Sequence, residues 1–298
     1  MPDTDGSLET EDYAQAARPA RRTILIAACF FLSCAAEAIA QQPVVATRPA
    51  TPEFFSRFDF HLNAAWLGES APAVTSPALP TVVKNAVDHR YSFDTHWGGS
   101  LDFVDYVVGR TSFIIDYEAI LGDEFRLFDP NQGIYTLEAA TSARVGEAEI
   151  VGIFHHVSRH LADRGNKQAV AWNAAGVRVL KRVGRDSTTV DIDAEFSGVV
   201  AKAFVDYSWI GELNLQVRHP LNQHVAVFAQ GSGKLFAVDG TVPNRDMQTG
   251  GVAEVGLRLK GTGGVLELFV GFEKRVDAYE LERESQRWML AGFRLLSR

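Results

Sequence analysis

From Phe58 to Trp66 the chain sets apolar Phe58, Phe60, Leu62, Ala64 and Trp66 against polar Asp59, His61 and Asn63. This is a period of two, which gives each face of an extended strand one chemical character. The alternation recurs. Phe93, Trp97, Leu101 and Phe103 interleave with Asp94, His96, Ser100 and Asp102; Phe113, Ile115, Tyr117 and Ala119 interleave with Ser112, Asp116 and Glu118. Further runs follow at 135–145, 149–161, 190–196, 207–217, 224–236, 249–260, 265–276 and 287–296, with a weaker one at 168–182. The pattern predicts about twelve strands of ten to fourteen residues.

Those strands are long. Strands of soluble domains usually run about 5–6 residues, whereas a tilted membrane-crossing strand needs about 9–11. Connector lengths carry a second signal. Those around 105–106, 146–148, 184–187, 219–223 and 261–264 are short, while 67–90, 122–132, 162–167, 237–248 and 277–286 are longer; 199–204 breaks the rule. An even number of antiparallel strands with short turns at one end and long loops at the other predicts an all-β, up-and-down transmembrane barrel, turns on the periplasmic side. A secreted β-sandwich also alternates, but it requires neither this strand length nor this asymmetry. Trp66, Trp97, Trp209, Tyr117, Tyr135, Tyr207 and Trp288 are candidates for the aromatic girdles. The chain ends "GFRLLSR", on Arg298, where many outer-membrane chains end on an aromatic residue.

The N-terminus fits export. Arg21 and Arg22 precede the apolar run Thr23–Ala36, and Ala38-Ile39-Ala40 offers a cleavage site. Residues 1–40 therefore read as a signal peptide with an extended N-region, 41–53 as a periplasmic lead-in, and 54–298 as the barrel in the bacterial outer membrane. Cys29 and Cys34 both lie in the signal, which leaves the mature chain without a thiol, a disulfide or a cysteine metal site. Of 29 basic and 37 acidic residues, 3 and 6 precede residue 41, so the mature balance is 26 against 31. No basic tract suggests nucleic acid. No cofactor or metal motif stands out, and the expected partners are membrane lipids and lipopolysaccharide.

The richest stretch chemically is "FHHVSRHLADR", 154–164. On 149–161 the odd positions Val151, Ile153, His155, Val157, Arg159 and Leu161 are the more apolar set, which predicts that they face lipid. His156, Ser158 and His160 would then face the lumen. If Val145 faces Glu149 across a turn at 146–148, His156 lies opposite Glu138 and Ser158 opposite Thr136. Glu138, His156, Ser158 and His160 become a candidate catalytic cluster, since a hydroxyl, a base and a group that orients the base are what nucleophilic hydrolysis needs. The competing explanation is structural. Arg110, Arg144, Arg178, Asp191, Asp193, Glu195, Glu254, Glu267, Arg275 and Arg294 also fall on polar faces, and a charged lumen gives any histidine a carboxylate partner.

"HHVSRHLADR" resembles a segment of a group of bacterial outer-membrane proteins catalogued as domain-of-unknown-function family 1207, and "LELFVGFEKRVDAYELERESQRWMLAGFRL" is similar to that group's closing hairpin. The resemblance covers most of 54–298, implies an outer-membrane barrel and supplies no activity. A weaker resemblance links His156-x-Ser158 to outer-membrane phospholipase A and the lipid A 3-O-deacylases, where it implies His156 as base and Ser158 as nucleophile. Arg159 stands where those enzymes carry Asn, and they hold the pair on the lipid-facing wall. The calcium that the phospholipase resemblance implies has no dedicated signature here. Three functions stay open: a barrel of unassigned role with a charge-networked lumen, an esterase using Ser158 and His156, and a narrow solute pore.

Overall fold

The computed structural model describes residues 44–69, 88–162, 168–185, 187–279 and 281–297. The signal segment 1–40, most of the 67–90 connector and the terminal Arg298 lie outside them. Twelve strands follow in order: β1 (Glu53–Glu69), β2 (Phe93–Asp105), β3 (Arg110–Gly122), β4 (Asp129–Val145), β5 (Ala148–Leu161), β6 (Val170–Arg185), β7 (Thr188–Ala203), β8 (Tyr207–Pro220), β9 (Val225–Val238), β10 (Gln248–Lys260), β11 (Val265–Arg275) and β12 (Gln286–Leu296). Each pairs antiparallel with its sequence neighbours, and β1 pairs with β12 from His61↔Leu296 to Glu69↔Trp288, which closes the barrel. Closure leaves no unpaired sheet edge, the condition for a sheet to sit in lipid.

The strands run 11 to 17 residues, so the alternation predicted their number and understated the longest. Their outward side chains form an apolar wall, with Phe58, Ile115, Val177, Phe196, Val270 and Met289 all more than half exposed. Polar positions point inward: Asp59, His61, Asn63, Asp94, Glu138, Asp193 and Arg294 are buried. Apolar outside and polar inside is the pattern of a barrel that has lipid as its solvent. Trp66, Trp97 and Tyr135 stand on the outer wall, as the girdle requires. Tyr207 and Trp288 do not. They are 2% and 6% exposed and belong to apolar clusters inside the barrel, Tyr207 with Trp172, Ile210, Phe236 and Val276.

The lumen is largely filled. At the end that carries the long loops, Val276, Asp277 and Ala278 turn into the mouth, where the Ala278 carbonyl accepts bonds from Gln132 (2.9 Å) and Arg159 (3.3 Å). At the end with the short turns, Val44 and Val45 enter the barrel instead of merely leading to it. Arg110 donates to the Val44 carbonyl at 2.8 Å, and Val45 packs on Ala140, Val151, Ile153 and Leu180. Beside that segment lies a cavity of about 1170 Å³, lined in part by Arg182, Arg218, Arg258, Glu267 and Arg294.

One strand departs from the expected register. Gly146 and Glu147 form a two-residue loop, with Gly146 at φ +60°, and the last pair is Val145↔Ala148. A positive φ at the first loop residue suits the primed turns that match strand twist, and glycine adopts it without strain. The expected Val145–Glu149 pairing is thereby shifted by one residue. A one-residue shift turns every side chain of β5 to the other face.

Candidate functional site

The flip decides which groups meet. Glu149, Val151, Ile153, His155 and Arg159 face the lumen, and Ile150, Phe154, His156, Ser158 and His160 face out. Glu138 pairs with His155, so it stands on the opposite face of the wall from His156 and leaves the catalytic set. Two forces fix this orientation. Glu149 and Arg159, 0% and 5% exposed, would otherwise sit on the lipid-facing wall near its two ends, where a charge costs up to about 1 kcal/mol. Val151 and Ile153, which made the odd face look lipid-facing, find their apolar surroundings inside, against Ala140, Leu180 and Val45.

The outer-wall group is compact. Ser158 Oγ and His160 Nε2 are 2.8 Å apart. His156 Nδ1 lies 2.7 Å from Asn173 Oδ1, on the directly paired position of β6. Because that oxygen can only accept, the His156 Nδ1–H donates, and a neutral imidazole then keeps its lone pair on Nε2. Ser158 is flanked at two residues on either side by a histidine, at about 7 Å along the strand. The Tyr135 ring, opposite Ser158, meets His160 edge-on at 5.7 Å. Tyr117 and Trp97 extend this aromatic row at 4.7 and 5.4 Å. Ser158 is three residues from the last residue of β5, so it lies about 10 Å below the loop end.

Asn173 escaped the sequence reading, although a signal was there. It interrupts Ala171, Ala175, Val177 and Val179 on the apolar face of β6, and a lone amide in such a stripe needs a partner.

Behind the wall the lumen carries separate charge clusters. Arg178 bonds Glu138 (2.6 and 2.8 Å) and Glu195 (2.7 Å), with Asp193 at 3.4 Å. Arg294 bonds Glu254 (2.9 Å) and Glu267 (2.8 Å). Arg275 reaches Asp94 (2.6 Å), Glu118 (2.5 Å) and Glu273 (2.7 Å). Arg182 and Arg218 share Asp191. Two groups bring ligand-type atoms within 4.8 Å of one another, Asp94/His96/Glu118 and Glu138/His155/Glu195. In the loops, burial disfavours the Asp88 carboxylate, but bonds from Arg90 outweigh it and hold its pKa below the usual range. Bonds from Lys202 and Thr241 lower that of Asp239.

No family model matches the chain, so the resemblance to family 1207 gains no support, and no curated protein matches it. Among solved structures it is similar to LpxR from Salmonella typhimurium, at 11% identity and a TM-score of 0.43, over 80% of this chain and 99% of that one. It is also similar to the translocator domain of autotransporter NalP from Neisseria meningitidis (11%, TM-score 0.33, 81% and 88%). The P. putida toluene transporter TodX is a third (10%, TM-score 0.34, 84% and 90%). Function has to be read from the chain's own side chains.

Proposed function

We propose that this chain is an outer-membrane esterase that cleaves acyl esters of outer-leaflet lipids, with Ser158 as nucleophile and His156 as its base. One observation carries the reading: Ser158, both flanking histidines and Asn173 share the apolar outer wall near its loop end, where acyl chains lie. The exposed apolar belt supports insertion in the outer membrane.

Chemistry follows from the two hydrogen bonds. In the resting arrangement His160 holds the Ser158 hydroxyl. Asn173 holds His156 in the tautomer that leaves Nε2 free to take a proton. Rotation about the Ser158 Cα–Cβ bond swings Oγ from His160 towards His156. As Oγ bonds to the ester carbonyl carbon, its proton passes to His156 Nε2. The tetrahedral intermediate collapses by breaking the bond to the alkoxide, which takes that proton from His156. Water entering from the loop end then attacks the acyl-serine, giving its proton to the same nitrogen, and fatty acid leaves with Ser158 restored. Among the described residues no group holds His160 Nδ1, which favours His156 as the base.

The test is fatty-acid release by the refolded barrel from phospholipid and, separately, from lipopolysaccharide. The expected loss is about 10³-fold or more in Ser158→Ala and in His156→Ala. Asn173→Ala removes one neutral hydrogen bond worth about 0.5–1.5 kcal/mol, an expected loss of about 2- to 13-fold. Full release by Ser158→Ala, or none from either lipid by a folded barrel, overturns the proposal.

A further inference from the structure

We infer that the loop-end half of the lumen holds a divalent transition-metal ion, with zinc the best match, ligated by Asp94, His96 and Glu118. The inference is independent of the esterase reading, because these residues lie inside the barrel.

His96 is 2% exposed. Its Nδ1 lies 3.0 Å from Asp116 Oδ2 and donates to it, so the other nitrogen, Nε2, carries the lone pair whenever the ring is neutral. That lone pair faces Asp94 Oδ1 at 3.3 Å and Glu118 Oε1 at 3.9 Å. Among the described residues, neither His96 Nε2 nor Asp94 Oδ1 has a hydrogen-bond partner, and both are buried. Acceptors facing acceptors in a water-poor interior repel each other unless a cation stands between them.

The charge balance points the same way. Four carboxylates, Asp94, Asp116, Glu118 and Glu273, surround one guanidinium, Arg275, and two imidazoles, His61 and His96. Arg275 takes Asp94 Oδ2, which leaves Oδ1 for an ion, and it also donates to Glu118 Oε1, so that oxygen would be shared between the guanidinium and the ion. Asp116 completes a carboxylate–histidine–metal arrangement of the kind that fixes ring orientation at zinc sites. Bonds of about 2.0–2.2 Å at tetrahedral angles put ligand atoms about 3.3–3.5 Å apart. The His96–Asp94 separation already has that value, and the His96–Glu118 separation exceeds it by about half an ångström. One imidazole with two carboxylates suits zinc or manganese better than calcium, which takes six to eight oxygens.

The test uses untagged chain, refolded into detergent with zinc chloride and passed into metal-free buffer. Elemental analysis is expected to find about one zinc per chain, with affinity falling about 10- to 100-fold in Asp116→Asn and further in His96→Ala. Heat-modifiable gel mobility verifies that each variant is folded. Should His96→Ala not fold, X-ray absorption of the zinc-loaded wild type still decides, since the site requires one imidazole nitrogen among light-atom ligands. A folded wild type that retains no zinc, or zinc content unchanged in folded His96→Ala, overturns the inference and leaves a proton as the cation between the two acceptors.

Discussion

Replacing Arg178 with leucine tests whether the lumen is a dry, ion-paired interior or a hydrated channel wall. Arg178 is 8% exposed and bonds Glu138 and Glu195, with Asp193 within 3.4 Å. Removing the one guanidinium strands three buried carboxylates, of which Glu195 keeps only His155 at 3.7 Å as a cationic neighbour in the cluster. Breaking a buried pair by deleting one partner costs about 3–5 kcal/mol, because the charge left behind stays desolvated. With a urea slope near 3 kcal/mol per molar, the unfolding midpoint of the refolded barrel is expected to fall by about 1 to 1.7 M. Arg182→Leu is the internal control. That side chain is 41% exposed beside Asp191, and a pair so open to water is worth about 1 kcal/mol or less. Adding Glu138→Gln to Arg178→Leu should recover part of the loss, since one stranded charge is gone. If Arg178→Leu cost no more than Arg182→Leu, the lumen would be wet, and the picture of a filled interior would be wrong.

Further outcomes follow from the wall and from the β4–β5 turn. Cysteine introduced at Ser158 should react with a membrane-soluble maleimide and resist an impermeant one, while Val157→Cys should resist the membrane-soluble reagent; a chain refolded from residue 41 onward carries no other cysteine. The opposite pattern would restore the inward orientation of Ser158. Gly146→Val forces a β-branched side chain into a left-handed conformation, so refolding yield and urea midpoint should both drop, by about 1–3 kcal/mol in stability. An unchanged midpoint would mean that the β4–β5 register does not depend on this turn.

Much of the barrel is legible in the amino-acid sequence, because lipid outside and charge inside impose a period of two that survives in nearly every strand. β1 shows it plainly: Phe58, Phe60 and Trp66 outside, Asp59, His61 and Asn63 inside. The candidate site is half legible. His156, Ser158 and His160 do share a face, as their spacing requires, but Ser158 meets His160 and not His156, the expected base. Which face they share is easily misread, because β5 carries apolar residues on both sides and the lumen next to Val45 accepts Val151 and Ile153. The charges Glu149 and Arg159 are a better guide than the count of apolar residues. Partners on neighbouring strands are harder to read, since they depend on a register that one turn residue shifts. That shift removes Glu138 from the site, and the same face of the wall brings in Asn173.

Whether Ser158 is a nucleophile on the outer wall of the barrel decides between an enzyme and a structural cluster. A lipophilic fluorophosphonate, which bonds covalently only to an activated serine, tests it most directly on the folded barrel in detergent or vesicles. One adduct per chain is expected, mapped by mass spectrometry to the peptide holding Ser158. That adduct should be lost in Ser158→Ala and strongly slowed in His156→Ala. A folded barrel that takes no label, or takes it at a serine other than Ser158, would contradict the assignment.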